Sequence, residues 1–434
     1  MVRVLRESLR QRELLKRAPN FRLILFARLG SGLGTYLAAI ALQVDVFDRT
    51  HSGSWISALL IAEFLPAIVI GVLLGPLLDR WPRRSMMVAS DLANVAVFSA
   101  LPFTSSAKEI VALAFVSGVA NGFFRPIVYA GLPNLVEERD LEKAGSLLQT
   151  IENLTMLVGP PLGGLLVAAS SPHANYLINA ATFLFSTIFV VRISRDRLQT
   201  EQAVSQGHWR DLAAGFSIVR RSPALFAILI TWPIVNLTNA GVNVAEVVLA
   251  KHVFNAGDVG FGVLVGAAGF GLAIGSFISG QVIERIGLAA TYSGSIALMG
   301  IGVGAAALSP NVWVAAVCVV FSGAGNGAAV VCNFLLIARG APDKLRGRAV
   351  TVLMGVGSSV LFLGMVVAGR LTDTFGARWV WGGAAAISLV TALVGLQLVR
   401  RVPDPGAAES MEPLPLSPPP VAGVGEALES EGNW

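Results

Sequence analysis

From residue 286 to residue 338 the chain runs 53 positions without an Asp, Glu, Lys or Arg. A water-soluble domain carries about one charged residue in four and has no room for such a run. A helix needs about 20 predominantly apolar residues to cross the hydrocarbon of a bilayer. The run therefore accommodates two crossings, with a turn at Ser309-Pro310-Asn311. Further charge-free windows at 153–191, 222–245, 259–283, 349–369 and 379–399 repeat the pattern. Of all 434 residues, 54% are hydrophobic and 14% charged. These features predict an all-α polytopic membrane protein. Its twelve transmembrane helices are expected at about 20–44, 54–78, 85–104, 110–133, 145–168, 174–192, 223–248, 259–283, 288–308, 312–337, 349–370 and 379–399.

The chain also repeats itself. Gly75-Pro76-Leu77-Leu78-Asp79-Arg80-Trp81-Pro82-Arg83-Arg84 closes the second expected span, and a weaker copy, Gly280-Gln281-Val282-Ile283-Glu284-Arg285-Ile286-Gly287, follows 205 residues later. The same offset carries Ser117-Gly118 onto Ser322-Gly323, Asn121-Gly122 onto Asn326-Gly327 and Gly159 onto Gly364. Four separated matches at one offset define two six-helix pseudo-repeats. Repeats with six spans each are related by an axis along the membrane normal, which places a substrate cavity between them near the midplane. The expected division is a basic N-terminus (1–19), a six-helix bundle (20–192), a linker (193–222), a second bundle (223–399) and a Pro-rich acidic tail (400–434). In the linker Trp209, Leu212, Phe216 and Val219 recur at helical spacing among Arg210, Arg220 and Arg221, as in an interfacial helix. The tail holds seven prolines and six acids after residue 401, a composition that does not fold on its own.

Basic residues are distributed unevenly. The termini and the loops after spans 2, 4, 6, 8 and 10 hold 25 of the 32, while Arg49, Lys108, Lys251, Arg370 and Arg378 lie on the other side. This predicts cytoplasmic termini. No apolar core precedes Phe21, so no cleaved signal peptide is expected. The dispersed basic residues are not a nucleic-acid footprint. Cys318 and Cys332 stand fourteen apart in one expected helix, about 21 Å along its axis, and cannot bridge each other. The four histidines, His51, His173, His208 and His252, show no metal-ligand spacing, and no Gly-Lys-Ser/Thr phosphate loop occurs. No metal, cofactor or ATP use is expected, and the chain is not read as an enzyme.

Over about residues 20–400 these motifs resemble the major facilitator superfamily. Gly75-x-x-x-Asp79-Arg80-x-x-Arg83-Arg84 is similar to its signature after span 2, with Pro82 where glycine is usual. Gly159-Pro160-Pro161-Leu162-Gly163-Gly164 is similar to its antiporter motif, with Thr155 where a glycine is expected. Phe64-Leu65-Pro66, Phe124-Arg125-Pro126, Leu132-Pro133-Asn134-Leu135-Val136 and Leu345-Arg346-Gly347-Arg348 resemble the branch of bacterial macrolide and siderophore exporters and the lysophospholipid transporter. The resemblance implies the major facilitator fold, alternating access and a cytoplasmic latch. In that latch Asp79, beside Gly75, faces the start of span 11, where Arg346, Arg348 and the helix dipole supply positive charge. Arg80, Arg83, Arg84, Asp91, Arg125, Glu284 and Arg285 are expected to complete the rim network. Two family positions depart from the pattern: Thr35 replaces an acid in span 1, and Ala114 replaces an arginine in span 4.

Ionisable groups inside a membrane need a partner or a purpose. Arg28 shares a face with Ser31, Gly32 and Thr35, either a cavity wall or a small-residue packing seam. Glu152 shares the face of Gly159 and Gly163, where span 5 meets another helix. With the usual positions empty, Glu152 is the first candidate for proton coupling, with Arg28 at matching depth and Glu63 next in order; a permanent Arg–Glu ion pair is the alternative. Glu246 is placed near the outer end of span 7, within reach of headgroup water. Asn236, Asn239 and Asn243, with Asn326 and Asn333, suggest a polar, uncharged cavity wall beside Trp232, Phe270 and Phe334, or else hydrogen bonds between helices.

The expectation is a secondary active transporter in the bacterial plasma membrane, monomeric, exporting amphipathic small molecules of drug, macrolide or siderophore type in exchange for protons. Its partners are that substrate, protons and membrane lipid. A lysophospholipid or other lipid flippase and an uncoupled facilitator are the alternatives of the same fold; a non-transporting membrane enzyme or receptor is the alternative class.

Overall fold

The computed structural model describes residues 13–73, 81–194, 208–341 and 343–402. Helices α1 (Pro19–Thr50), α2 (Gly53–Leu73), α3 (Arg83–Ala100), α4 (Ala107–Leu135), α5 (Leu141–Ala169) and α6 (Pro172–Val191) form the first half. Helix α7 (His208–Arg221) follows, and α8 (Pro223–Val248), α9 (Gly257–Ile286), α10 (Leu288–Leu308), α11 (Val312–Gly340), α12 (Asp343–Phe375) and α13 (Ala377–Val399) form the second. Twelve of these are long and apolar enough to cross a membrane, all but α7.

The helix ends follow local chemistry. Pro19, Pro172 and Pro223 open α1, α6 and α8, where a missing N–H costs nothing. Ser106 and Asn311 cap α4 and α11 by accepting first-turn N–H groups. Gly287 (φ 84°) and Gly376 (φ 87°) make the sharp turns from α9 to α10 and from α12 to α13, in a region glycine tolerates. Several helices outrun their apolar windows. Helix α1 continues to Thr50 because Arg49 pairs with Asp45 one turn earlier, Nε to Oδ1 at 2.6 Å. Helix α8 runs on through a π-helical turn at Leu249–Val253. Glu246 is therefore 7% exposed, buried rather than in headgroup water, because the helix continues a further turn beyond it.

The two halves pack alike. Helix α1 lies against α5 and α6, α2 against α4, and α3 against α4 and α6. In the second half α8 lies against α12 and α13, α9 against α11, and α10 against α11 and α13. The repeated glycines explain this. A Cβ on Gly118 would stand 2.6 Å from the carbonyl oxygens of Ala62 and Glu63 on α2. A Cβ on Gly323 would strike the carbonyl of Ala268 on α9, the residue 205 beyond Glu63. Gly122 and Gly327 meet Ala67 and Leu272, again 205 apart. Each repeated glycine lets the same pair of helices approach closely.

Helices α5 and α9, and α2 and α12, join the halves. Both ends of the described chain lie at one face, here the near face; the loops α1–α2 and α12–α13 lie opposite, where Asp373 meets Ser52. At the far face one apolar core runs through both halves, from Ala38–Phe47 of α1 and Ile56–Ala62 of α2 to Ala240–Ala250 and Met365. At the near face it divides. One cluster, with Phe21, Met87, Phe124 and Val190, belongs to the first half, and another, with Leu225, Tyr292, Leu336 and Val352, to the second. Helices α5 and α9 touch from Gly164 and Gly262 down to Met156 and Gly269, whereas Gly145 and Gly280, nearer the near face, meet nothing. A cleft between the halves thus opens toward the near face. Helix α7 packs on the second half: a Cβ on Gly215 would stand 2.6 Å from the Arg348 carbonyl, and Val219 is fully buried.

Candidate functional site

The first half presents its charges along the seam of α1 and α5. Gly32 faces Thr155, Gly159 faces Tyr36, and a Cβ on Gly163 would stand 2.9 Å from the Leu37 carbonyl. That approach brings Arg28 Nη2 to Glu152 Oε1 at 2.9 Å, with 19% and 15% of the two side chains exposed. The Arg28 guanidinium also stands 5.7 Å from the centre of the Phe124 ring on α4. Asp91 on α3 is fully buried, with Ser186 of α6 and Arg28 as polar neighbours. Neither carboxylate oxygen of Asp91 has a hydrogen-bond partner among the described residues. Ser31 and Thr35 donate to the carbonyls of Ala27 and Ser31 on their own helix.

The antiporter-type motif has two faces. Gly159 and Gly163 receive α1, while Pro160, Pro161 and Gly164 receive α9. A Cβ on either Gly164 or Gly262 would stand 2.9 Å from the other's Cα. The motif is therefore a joint between the halves.

Glu63 is half-buried on α2, on the far side of the Arg28–Glu152 level. Nearby is a polar cluster not anticipated from the sequence. Tyr176 donates to Asp45 Oδ2 at 3.0 Å, and Arg49 holds both Asp45 and the Thr104 carbonyl. The Asp45–Arg49 spacing of four was the available signal, hidden by an expected span end at 44.

In the second half the Asn236 amide lies against Gly357 of α12, and Asn239 and Asn326 are half-buried. Asn243 is exposed; Asn333 is buried, its Oδ1 without a hydrogen-bond partner among the described residues. No hydrogen bond among the described residues joins these five to one another. The expected latch is only partly visible: Gly75, Asp79 and Arg80 lie outside the described residues, as does the side chain of Arg125 within α4. Arg83 donates to the Ala130 carbonyl at 3.1 Å, and Arg84 to the carbonyl of Val191, the last residue of α6. A cation there complements the negative helix end. Arg346 donates to the Ala338 carbonyl at 3.1 Å, and Glu284 and Arg285 are exposed at the end of α9.

Among the described residues, the far seal joins the halves by several polar contacts. Lys251 of α8's π-turn holds Asp48 and Asp258 at 2.5 and 2.7 Å. His51 and His252 stack across the seam with ring centres 5.4 Å apart. Asp373 at the end of α12 meets the start of α2. Among the described residues no three His, Cys, Asp or Glu side chains are placed to hold a metal ion.

Two parallel six-helix repeats around a cleft, sealed at one face by α2–α12 and α5–α9, define a major facilitator superfamily transporter. Within it the chain belongs to the transmembrane secretion effector family, which matches residues 16–427. It is 25% identical to the uncharacterized MFS-type transporter YfiS of Bacillus subtilis, over 80% of this chain and 85% of that one. It is 24% identical to macrolide efflux protein A of Streptococcus pyogenes over 65% and 72% of the two chains. With the enterobactin exporter EntS of Salmonella typhimurium the identity is 26%, over 89% and 93%. Among solved structures, a bacterial homologue of the iron transporter ferroportin in its inward-facing state superposes with TM-score 0.71 at 16% identity, covering 88% of this chain and 99% of that one. Its likeness supports the fold alone.

Proposed function

We propose that this transporter is an exporter of amphipathic small molecules, driven by proton exchange across the bacterial plasma membrane. The supporting observation is the Arg28–Glu152 pair, which sits where the common far-face core gives way to the two separate near-face clusters. Protonating Glu152 removes its charge and frees Arg28, so helix movement at the α1–α5 seam and proton binding act on the same contact. The excess of basic residues assigns the near face to the cytoplasm, so the cleft loads from inside the cell. Export by the macrolide and enterobactin relatives supports the direction, and the uncharged wall of Asn236, Asn239 and Asn243 beside Trp232 suits a ligand with both polar and apolar parts.

Proteoliposomes separate coupling from structure. With Glu152→Gln, uphill export driven by a pH gradient should vanish while downhill exchange of a macrolide or siderophore probe persists. Unchanged uphill export with unchanged pH dependence would reject Glu152 as the coupling group and transfer the role to Glu63.

A further inference from the structure

Helix α12 ends Gly369-Arg370-Leu371-Thr372-Asp373-Thr374-Phe375. Gly369 brings it against the start of α2 in the other half. A Cβ on Gly369 would stand 2.8 Å from Ser54 Cα and 3.0 Å from the Gly53 carbonyl oxygen. Reciprocally, a Cβ on Gly53 would stand 2.9 Å from Thr372 Cβ and 3.1 Å from the Gly369 carbonyl oxygen. Neither helix could come this close with a larger residue at either position.

One turn beyond Gly369, the Asp373 carboxylate closes over the first turn of α2. Its oxygens accept from the backbone N–H of Gly53 at 2.5 Å and of Ser54 at 3.1 Å. They also accept from the hydroxyls of Ser52 at 2.9 Å and Ser54 at 2.6 Å. The first N–H groups of a helix have no partner within it and form the positive end of its dipole. Here that end is satisfied by a carboxylate from the opposite half. Two turns further in, Ser57 donates to the Met365 carbonyl at 2.6 Å and continues the contact.

In sequence, the spacing is that of the motif after α2. Gly75-x-x-x-Asp79 follows α2, and Gly369-x-x-x-Asp373 closes α12.

We infer that Asp373 is the latch of the far gate, whose hold on the start of α2 must break before the far face opens. Asp373 is a positioning residue: it touches neither substrate nor the Arg28–Glu152 pair, and acts by setting the balance between the two open states. The inference rests on alternating access as proposed above, but not on proton coupling or on any substrate.

The test measures the gate directly. Spin labels on Ser105→Cys and Pro310→Cys, with Cys318→Ala and Cys332→Ala, report the far-face distance between the halves by double electron–electron resonance on the full chain in nanodiscs. Asp373→Asn should raise the ratio of far-open to far-closed molecules roughly tenfold, as expected when a charged acceptor of several hydrogen bonds is lost. Asp373→Glu should restore much of the closed population, and Arg370→Gln, which removes a neighbouring exposed charge, should leave it unchanged. If Asp373→Asn does not fold, Ser52→Ala with Ser54→Ala removes two donors and should shift the same distribution in the same direction. An unchanged distance distribution in a folded variant, or an equal shift in Arg370→Gln, would overturn the latch. Because no substrate or pH gradient enters this measurement, failure of proton coupling at Glu152 leaves its outcome untouched.

Discussion

The guanidinium of Arg28 faces both Glu152 and the Phe124 ring. A largely buried ion pair is costly to break by removing one partner, because the other charge is left in a low-dielectric interior. Arg28→Gln should lower stability by about 3 kcal/mol, and Arg28→Gln with Glu152→Gln should recover part of that loss. Thermal unfolding of the detergent-solubilised variants measures both, and equal midpoints for the two would show that no charge pairing is lost. The sequence placed Arg28 and Glu152 at one depth by counting residues along two helices. It could not show that Asp91 is fully buried, since nothing in the order of residues says which helices enclose α3.

At the scale of elements, the decisive contacts are backbone on backbone. Gly164 and Gly262 cross with no side chain between them, and the atoms each would strike are the Cα and main-chain atoms of the other helix. Such atoms cannot rotate aside as a side chain can. Gly262→Leu should therefore hold α5 and α9 apart, leaving insertion intact while transport is lost and far-face thiol labelling rises. Normal transport in this variant would mean that the seal tolerates a wider joint. The glycines of this motif were legible from the sequence, as was the repeat at 205 residues. That one set of glycines receives α1 while its neighbours receive α9 was not, because both partners are distant in sequence and equally apolar. Asp373 escaped notice for a similar reason: it reads as an ordinary acid at a helix end until α2 is placed beside it.

For the whole molecule, the shared core at the far face and the divided core at the near face describe one end state of a two-sided device. The sidedness prediction follows from charge. A single cysteine at Ser105 should react with an impermeant thiol reagent in intact cells, and one at Ser205 in the linker should stay silent until the membrane is opened. The reverse pattern would place the cleft on the other side and overturn the orientation proposed above.

The sequence by itself determined that the chain crosses a membrane twelve times in two related halves. Apolar length and charge distribution are one-dimensional properties, and lipid enforces them span by span. It also marked the residues whose presence inside lipid demands an explanation. Only the tertiary structure decided which of these meet: Arg28 with Glu152, Gly164 with Gly262, and Asp373 with the first turn of α2. Packing between apolar helices is chosen by shape rather than by hydrophobicity, since lipid is as apolar as the partner helix. Shape complementarity between distant segments exists only once they are side by side, and it is this that sealed the far face and left the near face open.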